Sequence, residues 1–236
     1  MTKITVPELI SSLGREEFPR SRLVEILLQR GYRRPDDAIA SLTVKGIIER
    51  VTREWFLLGP LWRRRSIHKR WLANQLLLPS TLSLEYALQF HGLIPESVEV
   101  FTSVTPLRSR EYRSPTGTFT YIRIPEEAFC LGRTVATLPD STGKSERFFI
   151  ASPEKALADK IWLENLPSPV DWETYLIDDL RLDEDFWSKA KIDEILRFGK
   201  AYRSRKVTSL ATFFRLCDGR RKSHGRPRGG GNAHAL

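Results

Sequence analysis

Cysteine is nearly absent from this sequence: Cys130 and Cys217 are the only two in 236 residues. Two cysteines make neither a disulfide framework nor a cysteine-rich zinc site, so a chain that folds by apolar burial in a reducing compartment is expected. Histidine is scarce, at four, and methionine occurs once. Long apolar runs are missing too. The longest, Trp55 to Trp62, spans eight residues and contains Gly59 and Pro60, far short of a membrane span. The first 30 residues hold no apolar run of signal-peptide length, so a secretory leader is not expected and a cytoplasmic setting is. A Gly-rich phosphate loop and a Gly-x-Ser-x-Gly elbow are both lacking, which removes two common signatures of enzymes.

What is present is an ordinary globular composition, 41% hydrophobic and 28% charged, enough to bury a core without staples. The charge is distributed unevenly. Residues 1–79 carry 15 Lys/Arg against 8 Asp/Glu, residues 80–190 carry 11 against 18, and residues 191–236 carry 12 against 3. An acidic middle between two basic ends suggests two jobs and at least two domains, with nucleic acid as the partner of the basic part.

The N-terminal block predicts three short helices and a hairpin. Thr5 can cap the first, with Pro7 and Glu8 in its first turn, Leu9 and Leu13 on its apolar face and Gly14 as its stop. The second spans Ser21 to Gln29; the third opens at Pro35-Asp36-Asp37 and ends at Gly46. Ile47 to Val51 and Trp55 to Leu58 flank the polar turn Thr52-Arg53-Glu54 as a hairpin. Residues 1–60 therefore read as a winged helix-turn-helix on DNA, its third helix in the major groove. Ser41 and Lys45 are the candidates for base contacts. Arg33, Arg34, Arg50 and Arg53 are the candidates for phosphate contacts. Residues 61–79, with Arg63, Arg64 and Arg65, predict a basic helical linker that either extends this footprint or faces solvent, with Pro79 as the boundary.

Residues 80–218 predict an α+β domain. Ser83 is a candidate cap for a helix ending at Gly92. Strands are expected over Val98–Val104, Arg110–Arg113, Phe119–Ile124 and Arg147–Ile150, with a turn at Ser114-Pro115-Thr116-Gly117. Ser152 as cap and Pro153 as first residue start a helix. Helical patterns follow at 171–179, 183–190, 191–198 and 207–216, and 219–236 reads as a disordered basic tail.

Nothing here assembles a catalytic set. His91, before Gly92, reads as a capping or packing residue, and Cys130, between Phe129 and Leu131, as a buried apolar one. Asp178-Asp179 and Asp183-Glu184-Asp185 read as helix caps and solvated charge. Ser152 and Lys155 have the Ser-x-x-Lys spacing of some acyl enzymes, but capping explains the serine. No enzymatic activity, cofactor or metal is expected.

A family resemblance runs through the middle of the chain. The runs Leu84-Glu85-Tyr86-Ala87-Leu88 and His91-Gly92-Leu93-Ile94-Pro95-Glu96 carry it. Thr102 to Thr105, Arg108 and Gly117 to Tyr121 follow, and Ile150 to Lys160 completes it in order. Together these resemble the AbiEi antitoxins of abortive-infection, type IV toxin–antitoxin pairs. The resemblance implies an N-terminal winged helix that represses the chain's own promoter by binding operator DNA. It also implies a C-terminal domain that counteracts a co-encoded AbiEii-type nucleotidyltransferase toxin. By motif it assigns an antitoxin surface to Ser103, Thr105, Arg108, Ser152, Glu154, Lys155 and Asp159. The alternative from the residues alone is a stand-alone winged-helix regulator whose α+β domain senses a ligand.

Overall fold

The computed structural model describes residues 4–139 and 145–224, and, of these, all side chains but those of Glu184, Ser188 and residues 219–224. The architecture is mixed α+β with two sheets. The first block runs α1 (Val6–Leu13), β1 (Glu17–Pro19), α2 (Arg20–Gln29), α3 (Pro35–Val44), β2 (Ile48–Arg50) and β3 (Trp55–Leu58). The expected helices and hairpin form. The Thr5 hydroxyl accepts from the Glu8 N–H, and the Glu8 carboxylate accepts from Thr5 in return. Those bonds hold the Glu8 carboxyl below the usual carboxylate range. Gly14 closes α1 at φ +69°, in the left-handed region.

The strand β1 was not expected, because three residues ending in proline carry no strand pattern. It pairs antiparallel with β3, which pairs with β2 on its other side, giving the order β1-β3-β2. The sheet has two covered faces. On one, Phe18, Ile48, Phe56 and Leu58 join Leu9, Leu23, Leu27 and Ile39 from the helices in a first core. On the other, Leu57 joins Val51 in a second core built mostly from the rest of the chain. Gly59 sits where the exit of β3 crosses the exit of α3. A Cβ there would lie 1.9 Å from the Gly46 carbonyl oxygen, so no side chain fits.

Residues 61–79, expected as a linker, contribute the helix α4 (Lys69–Leu76), whose Leu72, Ala73 and Leu76 are buried in the second core. That core continues through β4 (Thr81–Leu82), α5 (Leu84–Phe90), β5 (Phe101–Thr105), β6 (Arg110–Ser114), β7 (Gly117–Arg123) and α6 (Glu126–Phe129). Next come β8 (Arg133–Pro139), β9 (Ser145–Ala151), α7 (Pro153–Leu163) and α8 (Trp172–Thr174), the last running into a wider turn over Tyr175–Asp179. The chain ends in α9 (Glu184–Lys189), α10 (Ile192–Ala201) and α11 (Arg205–His224). The second sheet is mixed and six-stranded, in the order β6-β7-β5-β4-β9-β8. The turn at 114–117 closes the β6–β7 hairpin as expected, with Ser114 opposite Gly117. α11 extends past the expected end into the basic tail. Of residues 219–224 only one is glycine, which costs a helix interior roughly 1 kcal/mol. Residues 225–236 lie outside the described residues.

β4 is two residues long and leaves most of β9 without a neighbour on that side. Asn74 of α4 fills the gap. Its Nδ2 donates to the Phe149 carbonyl at 3.2 Å, and its Oδ1 accepts from the Phe149 N–H at 2.6 Å. A side-chain amide thus stands in for one rung of a strand. Replacing Asn74 by Ala strands both Phe149 groups, and we expect urea unfolding to show a loss of about 2 kcal/mol.

Candidate functional site

The residues expected to face DNA fall into two groups. α3 turns Ile39 inward and packs Ala38 and Leu42 partly against the first core. Its other face presents Ala40, Ser41, Val44 and Lys45 to solvent, Val44 being 88% exposed. Arg33 and Arg34 lie exposed in the approach to this helix. Beside it stands the β2–β3 hairpin, whose turn is tightened by the Thr52 hydroxyl accepting from the N–H groups of Glu54 and Trp55. Arg50 and Arg53 are exposed on the hairpin. Between helix and hairpin runs a groove of about 580 Å³, lined by Ala40, Thr43 and Val44 on one wall and Arg50 and Arg53 on the other.

The acidic start of α3 does not oppose a polyanion as strongly as its sequence suggests. Asp36 is paired with Arg20, and Asp37 lies 3.9 Å from Arg34. Arg50 and Arg53 thus share a groove with Ala40, Thr43 and Val44, while Arg33, Arg34, Ser41 and Lys45 are exposed outside its lining. Arg63 and Arg65 do not join them. Arg63 pairs with Glu49 and donates from Nε to the Leu58 carbonyl at 2.6 Å. Arg65 reaches Glu16 and donates to the Gly14 carbonyl. Glu16 and Glu17 are buried and accept the backbone N–H groups of Arg64 and His68. The basic run at 63–65 therefore fastens the chain to the back of the first sheet. Arg64 keeps an exposed side chain there.

The residues carried over as an antitoxin surface do not form one. Ser103 and Thr105 are fully buried on β5, and Glu154, Lys155 and Asp159 are buried on α7. The reason is visible along α7. Ala156, Leu157, Ala158 and Ile161 are all buried around its circumference, and a helix apolar on every side is enclosed together with its charges. Most of these polar groups have an internal partner, although the buried Ser103 hydroxyl has none among the described residues. Ser152 caps α7, its hydroxyl accepting from the Lys155 N–H at 3.2 Å. Glu154 accepts from the Lys191 N–H at 3.1 Å, at the start of α10. Thr105 donates to the Pro79 carbonyl at 2.7 Å. Of the seven, Arg108 has an exposed side chain and Ser152 a half-buried one.

At the centre of the second block lies a closed polar cluster. The Lys155 ammonium donates to Asp159 and, at 3.0 Å, to the Tyr202 hydroxyl. The Tyr202 hydroxyl donates to the same Asp159 oxygen, and the Ser83 hydroxyl donates to the other at 2.6 Å. Ser83, expected to cap α5, is spent on this bond instead. Burial pulls the Lys155 ammonium below lysine's ordinary range, against the attraction of Asp159. Burial, the Asp159 charge and its hydrogen bond push the Tyr202 phenol well above its ordinary range. Trp162 stacks on the Tyr202 ring at 4.9 Å. Gly132 touches the cluster from α6's exit: a Cβ there would lie 2.6 Å from the Lys155 Cβ. Ser83 and Tyr202 had no signature in the sequence. The available signal was Lys155 and Asp159 four apart on a helix with no polar face. The cluster ties α5, α7 and α10 together.

His91 behaves as expected, packing edge-on against Phe90 with Nε2 2.8 Å from the Ala151 carbonyl oxygen. Asp183 caps α9 by accepting from the Asp185 N–H. Cys130 departs from expectation. It is exposed, because the short α6 gives its buried side to Ala128 and Phe129 and ends there. Among the described residues no group of three or more His, Cys, Asp or Glu is placed to hold a metal ion, and no helix is long and apolar enough to cross a membrane.

Removing one partner of the buried pair leaves the other uncompensated. Lys155→Met should cost about 3–5 kcal/mol in chemical denaturation, and Lys155→Met with Asp159→Leu should cost less than Lys155→Met alone.

No family model and no curated protein matches the chain.

Proposed function

We propose that the first block is a winged helix-turn-helix that binds operator DNA, and that the whole chain is an autoregulating antitoxin of the AbiEi kind. The element order α1–β1–α2–α3–β2–β3 and the sheet order β1-β3-β2 support the winged-helix reading. The observation that carries it is the groove. An outward face of α3 and the hairpin's Arg50 and Arg53 stand side by side, with Arg20 paired to Asp36 at the groove's edge and Glu54 beside Arg53. In this reading α3 enters the major groove. Ser41 and Lys45 meet base edges, and the exposed Val44 offers an apolar contact to a thymine methyl. Arg33, Arg34, Arg50 and Arg53 neutralise phosphates.

The antitoxin half rests on the motif resemblance over residues 84–160. A partner would meet what the second block exposes, such as Arg108, rather than the buried residues of β5 and α7. The two blocks share Leu57 and α4, so separating them at residue 79 would open the second core. Substitution in the full chain is the better test.

For promoter DNA, fluorescence anisotropy across a salt series should give a steep fall in affinity. Each of Arg33→Ala, Arg34→Ala, Arg50→Ala and Arg53→Ala should flatten the log–log slope by about 0.9. Arg63→Ala should leave that slope unchanged. Unaltered slopes in the first four would remove α3 and the hairpin as the DNA-binding face. For the antitoxin half, growth arrest caused by the adjacent reading frame should be relieved by the full chain and by the Arg33→Ala/Arg50→Ala variant alike. Arrest without relief would overturn it.

A further inference from the structure

One cleft in the second block is acidic where the rest of the functional reading is basic. It measures about 430 Å³ and lies between α5, the segment after it, α7 and the turn at 175–179. Four carboxylates line it: Glu85, Glu96, Glu164 and Asp179. Ile94, Val98 and Leu180 supply apolar walls between them. One cation already sits there. The Lys160 ammonium is held between Glu85, at 2.7 Å, and Glu164. Arg181 approaches Glu96 at 3.2 Å. Lys206, which donates to the Glu164 carbonyl and feels the Glu164 charge, is a third cation at the rim. Against these three, four carboxylates leave one negative charge uncompensated, and Asp179 is the carboxylate without an ion pair of its own among the described residues.

A second, independent feature is Tyr175. It lines the cleft and is 7% exposed, yet its hydroxyl has no hydrogen-bond partner among the described residues. A buried hydroxyl without a partner costs free energy, and such groups call for an explanation. The surroundings identify what kind. Burial and the charges of Glu164, Asp179 and Glu85 push the Tyr175 phenol up to about 12, with Lys160 acting in the opposite sense. The hydroxyl stays protonated, and its oxygen lone pairs, unused within the described residues, can accept from an ammonium N–H.

We propose that this cleft binds a small aliphatic diamine or polyamine, with one ammonium near Asp179, Glu96 and the Tyr175 hydroxyl and the methylene chain against Ile94, Val98 and Leu180. A bare metal ion fits worse, since these carboxylates are not gathered into a metal-binding group. Lys160 demonstrates the chemistry within the chain itself: an ammonium on an alkyl stem, seated between two carboxylates. The proposal is independent of the DNA-binding and antitoxin readings.

The test is titration calorimetry on the full chain at fixed ionic strength, with putrescine, spermidine, Mg2+ and Nα-acetyl-lysine amide. The expected result is one-to-one binding of putrescine or spermidine, with Kd on the order of 1 mM or tighter. Mg2+ should neither bind nor displace. Asp179→Asn and Glu96→Gln should each weaken binding about tenfold. Tyr175→Phe should weaken it severalfold while leaving the melting temperature equal or higher, because it deletes an unpartnered hydroxyl. A role confined to packing would not separate those two readouts. No binding up to about 10 mM, displacement by Mg2+, or unchanged affinity in Asp179→Asn would overturn the proposal. Equal affinity for Nα-acetyl-lysine amide would overturn the free diamine as occupant and point to a lysine of another protein.

Discussion

β3 is four residues long, yet its side chains feed two separate cores. Phe56 and Leu58 pack with the helices of the first block, while Leu57, on the opposite face, packs with the second. Alternation along a strand makes this possible, because successive side chains leave opposite faces. Its consequence is that the first sheet has no free back. Glu17 and Glu49 lie across from Leu57 on β1 and β2, where they bind the His68 N–H and Arg63. A chain segment that looks like a tether becomes a fitted part of the interior. The DNA-facing side that we propose is thereby held in a fixed relation to the second block.

The charges divide by what surrounds them. Arg34–Asp37 and Arg53–Glu54 are exposed and loose, and such pairs contribute little to stability, so those arginines are available to an outside anion. Lys155 and Asp159 are enclosed with Ser83 and Tyr202, where an unmatched charge would cost several kcal/mol. The same types of residue therefore do opposite work. On the first block they stay open to solvent; inside the second they hold helices together. The acidic cleft lies between these extremes, half-enclosed, with more carboxylate than its own cations neutralise.

Much of the first block was legible in the sequence. Thr5, Gly14, Pro35 and Gly46 punctuate three helices, and Thr52-Arg53-Glu54 marks the hairpin. The starts and stops rest on local backbone chemistry that tertiary packing did not override. Three strands were not legible. β1 contains a proline, β4 is two residues, and the apolar residues of β8, Val135, Ala136 and Leu138, do not alternate. Each is defined by its partner strand rather than by itself. The exposure of Arg33, Arg34, Arg50 and Arg53 agrees with their local polar context, whereas Arg63 and Arg65, equally basic in sequence, are held by Glu49 and Glu16 from distant positions. The interior of the second block was not legible. Polar residues in a motif look the same whether they face solvent or one another, and Ser83 and Tyr202 meet Asp159 from far away in sequence. Cys130 misled for a related reason: apolar neighbours do not establish which side of a short helix is buried.

The central claim is that α3 and the hairpin meet DNA from a platform fixed by β3. Amide hydrogen exchange of the full chain, with and without its promoter DNA, tests this most directly. Slowed exchange in residues 35–44 and 50–55, with the α7 and β5 amides unchanged, is the predicted result. Protection confined to the second block, with α3 exchanging as it does in the free protein, would contradict the account.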